Sequence, residues 1–236
     1  MEAYLDNPAW GALISGNKNM AFGNYQVKYF DTQVSPFAAL KENSEVNFHT
    51  LYELIPHTAP LLVVTTDEMD IPGSWNVVRC IKGLQMVFDG KAEEERGDVK
   101  LVPLSEKHVP QMLALTKLTN PGPFASRTIE FGHYEGVFDG EKLVAMAGQR
   151  LHVFNYMEIS AVCTHPGHIG KGYARQLLRS QNNRIKADSG VPFLHVRYDN
   201  DRAIKVYESL DFSARRDVYF YAIKKNEVVS KAESRR

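Results

Sequence analysis

The chain has 236 residues, and its 28 Lys plus Arg are matched by 28 Asp plus Glu, so the formal net charge is zero. That length carries one large domain or two modest ones with a full hydrophobic core. Zero net charge excludes nucleic-acid binding through bulk charge, while a local positive site for a small anion stays open. The opening MEAYLDNPAW lacks the basic and apolar segments of a signal peptide, and no apolar run approaches a membrane span. These features predict a cytoplasmic chain with neither a membrane nor a nucleic-acid partner. Cys80 and Cys163 both lie in apolar, strand-like runs and read as buried free thiols. No Cys/His cluster has zinc-ligand spacing, so no metal is expected.

In chain order, residues 37–55 (FAALKENSEVNFHTLYELI) show helical spacing in places, and LLVVTT is a short buried strand. WNVVRCIKGLQMVF reads as strand, a turn or bulge near Gly83, then strand. Together these predict an N-terminal α/β region over residues 1–95, a candidate for shaping an acceptor site. The charged, turn-rich stretch DGKAEEERGD, Asp89 to Asp98, reads as a linker or long exposed loop.

After it the pattern sharpens. VKLVPL is a strand, and SEKHVPQMLALTKLT is a helix with Ser105 as N-cap and Pro110 weakening its first turns. Residues 134–151 form a hairpin turning at Asp139 to Lys142, and YMEISAVCT is a further strand. Then come a glycine-rich loop, a helix to about Ser189, the strand PFLHVRY, the helix NDRAIKVYESL and the strand DVYFYAI. The order β-α-β-β-β-loop-α-β-α-β occupies residues 96–225, and residues 226–236 form a charged tail. The fold class is α+β, with a mixed, mostly antiparallel sheet and flanking helices.

The informative stretch is CTHPGHIGKGYARQLL, from Cys163. A strand that turns at once into a helix leaves the first helical N–H groups without partners, and glycines let a ligand approach them. Such a run of amides at the positive end of a helix favours an anion, most often a phosphate. Ile169, Gly170, Lys171, Gly172, Tyr173 and Ala174 supply the run. A Walker A loop needs Ser or Thr after Gly-Lys, and here Gly172 follows Lys171. A dinucleotide fingerprint needs a third glycine where Arg175 stands. Lys171, Arg175 and Arg179 add positive charge along one side of the helix, as a cation row for a phosphate-rich ligand or as a solvated face. His165 and His168 flank the loop, as acid/base candidates or as solvated loop side chains.

AVCTHPGHIGKGYARQLL resembles the cofactor-binding segment of the GNAT superfamily of N-acetyltransferases, and DNDRAIKVYESLDF is similar to that family's Asn-x-x-Ala-x-x-x-Tyr-x-x-x-Gly-Phe helix. Asn200, Ala203, Tyr207 and Phe212 fall in register. The resemblance covers Lys100 to about Lys224. The Asn-Pro-x-Trp start and the Ser35 to Ala38 segment are similar to bacterial members with an N-terminal extension. Two departures stand out: Ile169 replaces the usual Arg or Gln, and Asp211 replaces the usual Gly before Phe212.

The resemblance implies an N-acetyltransferase that moves acetyl from acetyl-CoA to a small-molecule or protein amine, with no metal; a homodimer is an assembly open to it. It implies a cofactor site at Val162, Thr164, the loop from Ile169 to Ala174, and Asn200. Tyr207 would protonate the departing thiolate. Glu158 would be the base, because strand alternation puts it on one face with Ser160, Val162 and Thr164; a water chain is the alternative. A non-catalytic acyl-CoA sensor and an acyltransferase for longer chains are the competing readings.

Overall fold

The structure, a computed structural model, describes residues 2–91 and 99–226. The predicted linker from 92 to its end at 98, and the tail beyond 226, lie outside the described residues. In chain order the elements are α1 (Pro8–Ile14), β1 (Ala21–Gly23), β2 (Val27–Phe30), β3 (Ala38–Leu40), α2 (Glu45–Leu54), β4 (Leu61–Thr65), β5 (Trp75–Phe88), β6 (Val102–Pro103), α3 (Val109–Thr119), β7 (Glu135–Asp139), β8 (Lys142–Val153), β9 (Tyr156–Thr164), α4 (Tyr173–Ala187), β10 (Val191–Arg197), α5 (Asp201–Glu208) and β11 (Phe212–Lys225). From β6 onward this is the order that the sequence predicts.

Most strands join one eight-stranded sheet, ordered β4-β11-β5-β10-β9-β8-β7-β6. Every neighbouring pair is antiparallel except β9 with β10. A separate sheet of β1, β2 and β3 packs beside it. The two faces of the large sheet carry different cores. One buries Leu5, Phe30, Phe37, Met146, Cys163 and Phe193 against the N-terminal region and α3; the other buries Ile159, Leu178, Leu194, Val196 and Tyr207 under α4 and α5.

The strand β5 comes from the N-terminal region, yet it lies between β10 and β11. The boundary at residue 95 therefore does not divide the sheet: without residues 75–88, β10 and β11 have no shared partner. The expected break at Gly83 is absent. β5 pairs with β11 on both sides of it, with Gly83 opposite Val218. The glycine answers a close approach instead, because a Cβ there would lie 2.8 Å from the Val196 carbonyl oxygen.

Local chemistry accounts for several element ends. Pro110 sits in the first turn of α3, where a missing N–H costs nothing, after a 3-10 turn at Glu106–His108. The β7–β8 turn uses Gly140 at φ 58°, the left-handed region that a two-residue hairpin needs. Asp211, where the resemblance leads one to expect glycine, adopts φ 60° and so takes the glycine-type conformation at a modest cost. Cys163 is buried as expected, and burial pushes its thiol up to about 11. Cys80 is exposed, which corrects the sequence reading: it lies in a stretch of β5 whose residues are mostly exposed.

Candidate active site

Two features of β9 build the site. Its pairing with β10 stops at Phe193 opposite Glu158, after which β10 follows β5 instead. Beyond that point the β9 edge from Ile159 to Thr164 has no strand beside it on the β10 side. The second feature is a bulge. Between the Ser160–Gly148 and Cys163–Met146 pairs, β9 has two residues where β8 has one. Ala161 adopts φ 53° there, a conformation that alanine reaches only at a cost of roughly 1–2 kcal/mol.

The bulge overturns one expectation. Strict alternation would place Glu158, Val162 and Thr164 on one face. The extra residue moves Val162 to the α4 side, where it packs with Leu177 and Tyr173, while Glu158 stays on the side of the N-terminal region. An alanine in the bulge position carries no glycine signal, so alternation alone could not reveal the change.

On the α4/α5 side lies a cleft of about 390 Å³. Its walls include Val162, Thr164, Ile169, Gly170, Gly172, Tyr173, Ala174, Asn200 and Tyr207, all singled out from the sequence. Gly170 and Gly172 adopt φ 88° and 78°, and a Cβ at either would meet no atom within 4 Å. The two glycines are thus required by backbone conformation and leave open space above the loop. The first intrahelical bond runs from the Gln176 N–H to the Gly172 carbonyl at 3.2 Å, so the amides before it point out of the helix end without helical partners. Asn200 caps α5 by accepting from the Ala203 N–H at 3.2 Å, which explains its residue type, and it also reaches the cleft.

Lys171 does not follow its neighbours: it is exposed and stands outside the cleft walls. Cations that do line the cleft are Arg175 and Arg202. Arg175 donates to the Ser209 hydroxyl at 2.6 Å, tying α4 to the end of α5. Arg202 was not singled out, since one exposed cation in the first turn of α5 gives no sequence signal. The loop histidines serve as anchors. His165 Nδ1 accepts from the Gly167 N–H at 3.1 Å, and His168 Nε2 pairs with Asp139 of the β7–β8 turn at 3.0 Å. Tyr207 is buried against Phe212 and faces the cleft; burial pushes its phenol up to about 12.

Glu158 is fully buried, and its carboxylate is engaged. Arg150 Nε donates to one oxygen at 2.9 Å and a second guanidinium N–H donates to the other. His195 Nδ1 lies 2.7 Å from the second oxygen. The histidine tautomer follows from its surroundings. Gln85 Nε2 donates to the Leu5 carbonyl at 2.9 Å, and Gln85 Oε1 accepts from Arg215 at 2.8 Å, which fixes the amide's orientation. The amide N–H then faces His195 Nε2 at 3.0 Å, so Nε2 accepts and Nδ1 carries the proton given to Glu158. Arg215 continues to Asp6 at 2.8 Å, and the Phe37 ring lies 4.8 Å from the Arg150 guanidinium carbon. Burial alone would raise the Glu158 pKa; the Arg150 guanidinium overrides it by charge and hydrogen bonds, His195 adds to this, and the net shift is well downward. A carboxylate so held is a poor base, and the sequence expectation of a free Glu158 facing the cleft does not match this arrangement.

Among the described residues, no group of three or more His, Cys, Asp or Glu side chains is placed to hold a metal, and no helix is long and apolar enough to cross a membrane.

The FR47-like protein family matches residues 134–221. The N-alpha-acetyltransferase RimI of Mycobacterium tuberculosis is 38% identical over 84 residues, which are 34% of this chain and 51% of that protein, so the match spans about half the length of the curated relative. A crystal structure of a GNAT-family acetyltransferase from Novosphingobium aromaticivorans is 34% identical, covers 95% of this chain and 99% of its own, and superposes with a TM-score of 0.88. A GCN5-related N-acetyltransferase from Kribbella flavida, 13% identical with 95% and 97% coverage, shares the fold at a TM-score of 0.64. Sheet, loop and relatives together define an acyl-transferring class of protein. The chain belongs to the GNAT superfamily of N-acetyltransferases.

The Glu158 geometry yields a pH-dependent prediction. Its folded-state pKa is depressed, so the stability it contributes is complete above the unfolded carboxyl value of about 4.3 and is lost as pH falls through the folded value. Glu158→Gln should cost about 3–5 kcal/mol at pH 7, because it strands the buried Arg150 charge. Urea melts should show the gap to the parent protein narrowing below pH ~4. A gap that is constant down to pH 3 would contradict the buried pairing.

Proposed function

We propose that the chain transfers the acetyl group of acetyl-CoA to a primary amine by direct attack on the thioester. The observation that carries this reading is convergence on one cleft: the open-faced Gly170–Gly172 loop, the unpaired β9 edge at Val162 to Thr164, and Tyr207. The co-substrate fits the residues present. Its pyrophosphate would lie on the amides from Ile169 to Ala174, with Arg175 and Arg202 nearby and Lys171 left to long-range attraction. Its pantetheine amides would continue the sheet along the β9 edge that β10 leaves free, at Val162 and Thr164.

In the reaction the amine nitrogen forms a bond to the acetyl carbon, the C–S bond breaks, and the proton lost by the amine replaces the acetyl group on sulfur. The backbone that the Ala161 bulge frees at Val162 would lie along the thioester carbonyl, where an N–H would stabilise the developing oxyanion. Tyr207, on the cleft wall, would face the departing sulfur. A phenol near 12 keeps its proton throughout the neutral range, but a thiol ordinarily titrates at about 8.5. Full transfer from tyrosine is therefore uphill, and its contribution is a hydrogen bond to the charge growing on sulfur, with the final proton arriving through water. Glu158 is a positioning residue: it holds Arg150 and His195 at the point where the strands part. The base is water, through which the amine proton leaves.

The relative's name describes an N-alpha-acetyltransferase, and acetylation of an α-amine falls within this reaction class.

Two variants test the reading. Gly172→Val puts a branched side chain at φ 78° and over the phosphate approach. Apo stability should fall by roughly 1–2 kcal/mol, and the thermal stabilisation by acetyl-CoA should disappear; a retained ligand shift would overturn the cradle. Tyr207→Phe should lower kcat by about 10–100-fold, with the acetyl-CoA Kd changed less than about twofold. Unchanged turnover in a thiol-release assay would remove Tyr207 from the mechanism.

A further inference from the structure

A second cleft, also of about 390 Å³, opens on the face of the sheet that packs against the N-terminal region. It reaches the fork through residues of β8 and β10. Arg150 and His195, the partners of Glu158, line it, and Val196 lines it while packing in the same cluster as Tyr207. Resting on the acetyltransferase reading above, we infer that this cleft holds the acceptor, and that the acceptor is a small amine bearing a carboxylate and an apolar side chain, a free α-amino acid.

Charge is the first argument. The walls include Arg79, Arg150 and Arg197 and no Asp or Glu. Arg150 is neutralised by Glu158. Arg197 is paired with Asp199 at 2.7 Å, while Arg79 makes no ion pair among the described residues. Arg79 thus brings an uncompensated positive charge and free donors to the cleft wall, which suit a carboxylate. A polyamine or aminoglycoside would meet repulsion there.

Shape and lining supply the second argument. Phe37 and Phe220, with ring centroids 6.4 Å apart, share the wall with Leu62 and Ile81. Pro121, Gly122 and Pro123 close the far side as a stiff loop. This lining suits a hydrocarbon or aromatic side chain, and the volume suits a small molecule. With its carboxylate at Arg79 and Arg197 and its side chain on Phe37 and Phe220, the amine would be left to face the gap between β9 and β10.

The test is thiol release from acetyl-CoA by the full-length protein. The panel contains leucine, methionine and phenylalanine, their carboxamides, spermidine, an aminoglycoside, and a short peptide with a free N-terminus. The free amino acids should be acetylated, the carboxamides should show at least a tenfold higher KM, and spermidine and the aminoglycoside should be inert. Arg79→Ala, an exposed change, should raise the amino acid KM tenfold or more, leave the acetyl-CoA KM unchanged, and erase the preference for acid over amide. Turnover that favours the peptide, the polycations or the carboxamides would overturn the acceptor assignment while leaving the acetyltransferase reading intact. Acetyl-CoA binding without turnover of any amine would overturn both.

Discussion

The parting of β9 from β10 is the constraint on which the rest of the site depends. Two parallel strands that separate inside a sheet leave backbone donors and acceptors unpaired, and such groups must find other partners or face a ligand. At the last paired position stands Glu158, fully buried and held by Arg150 and His195. This side-chain cluster sits beside the fork, on the side of the sheet that packs against the N-terminal region. A buried ion pair adds little net stability over well-packed apolar residues, but losing one member is costly. Its value here is geometric: the carboxylate can be satisfied only when both flanking strands keep their positions.

The same cluster explains what the N-terminal region contributes. Phe37 covers the Arg150 guanidinium, Gln85 of β5 fixes the His195 tautomer, and Arg215 links Gln85 to Asp6. β5 also supplies the strand that β10 follows once it leaves β9. Residues far apart in sequence thus hold the fork open from one side, while α4 and α5 shape the cleft on the other. The early part of the chain is built into the central sheet.

How much of this was legible depended on range. The loop, the α4 start, the Asn200 cap and the Tyr207 face are local patterns, and each appears where its spacing predicts. Even Asp211, an apparent misfit, takes the glycine-like φ that its position requires. The features that escaped are non-local or chemically silent. The insertion of β5 between β10 and β11 is a pairing across more than a hundred residues, which periodicity does not encode. Gly83 reads as a turn until the nearby Val196 carbonyl is seen. The Ala161 bulge carries no special residue, yet it reverses the alternation and separates Glu158 from Val162. The partners that turn Glu158 from a candidate base into a structural anchor, Arg150 and His195, come from two other strands. Lys171 shows the limit of reading charge from a motif, because its exposed position takes it off the cleft wall.

The account stands on the claim that the fork and the glycine loop together receive one extended anionic ligand. Amide hydrogen exchange, measured with and without saturating acetyl-CoA, tests this most directly. The account predicts new protection in two segments at once, the β9 edge from Ser160 to Thr164 and the loop from Ile169 to Arg175, with little change in β1–β3. Protection confined to other parts of the chain, or at the loop with none along the β9 edge, would contradict it.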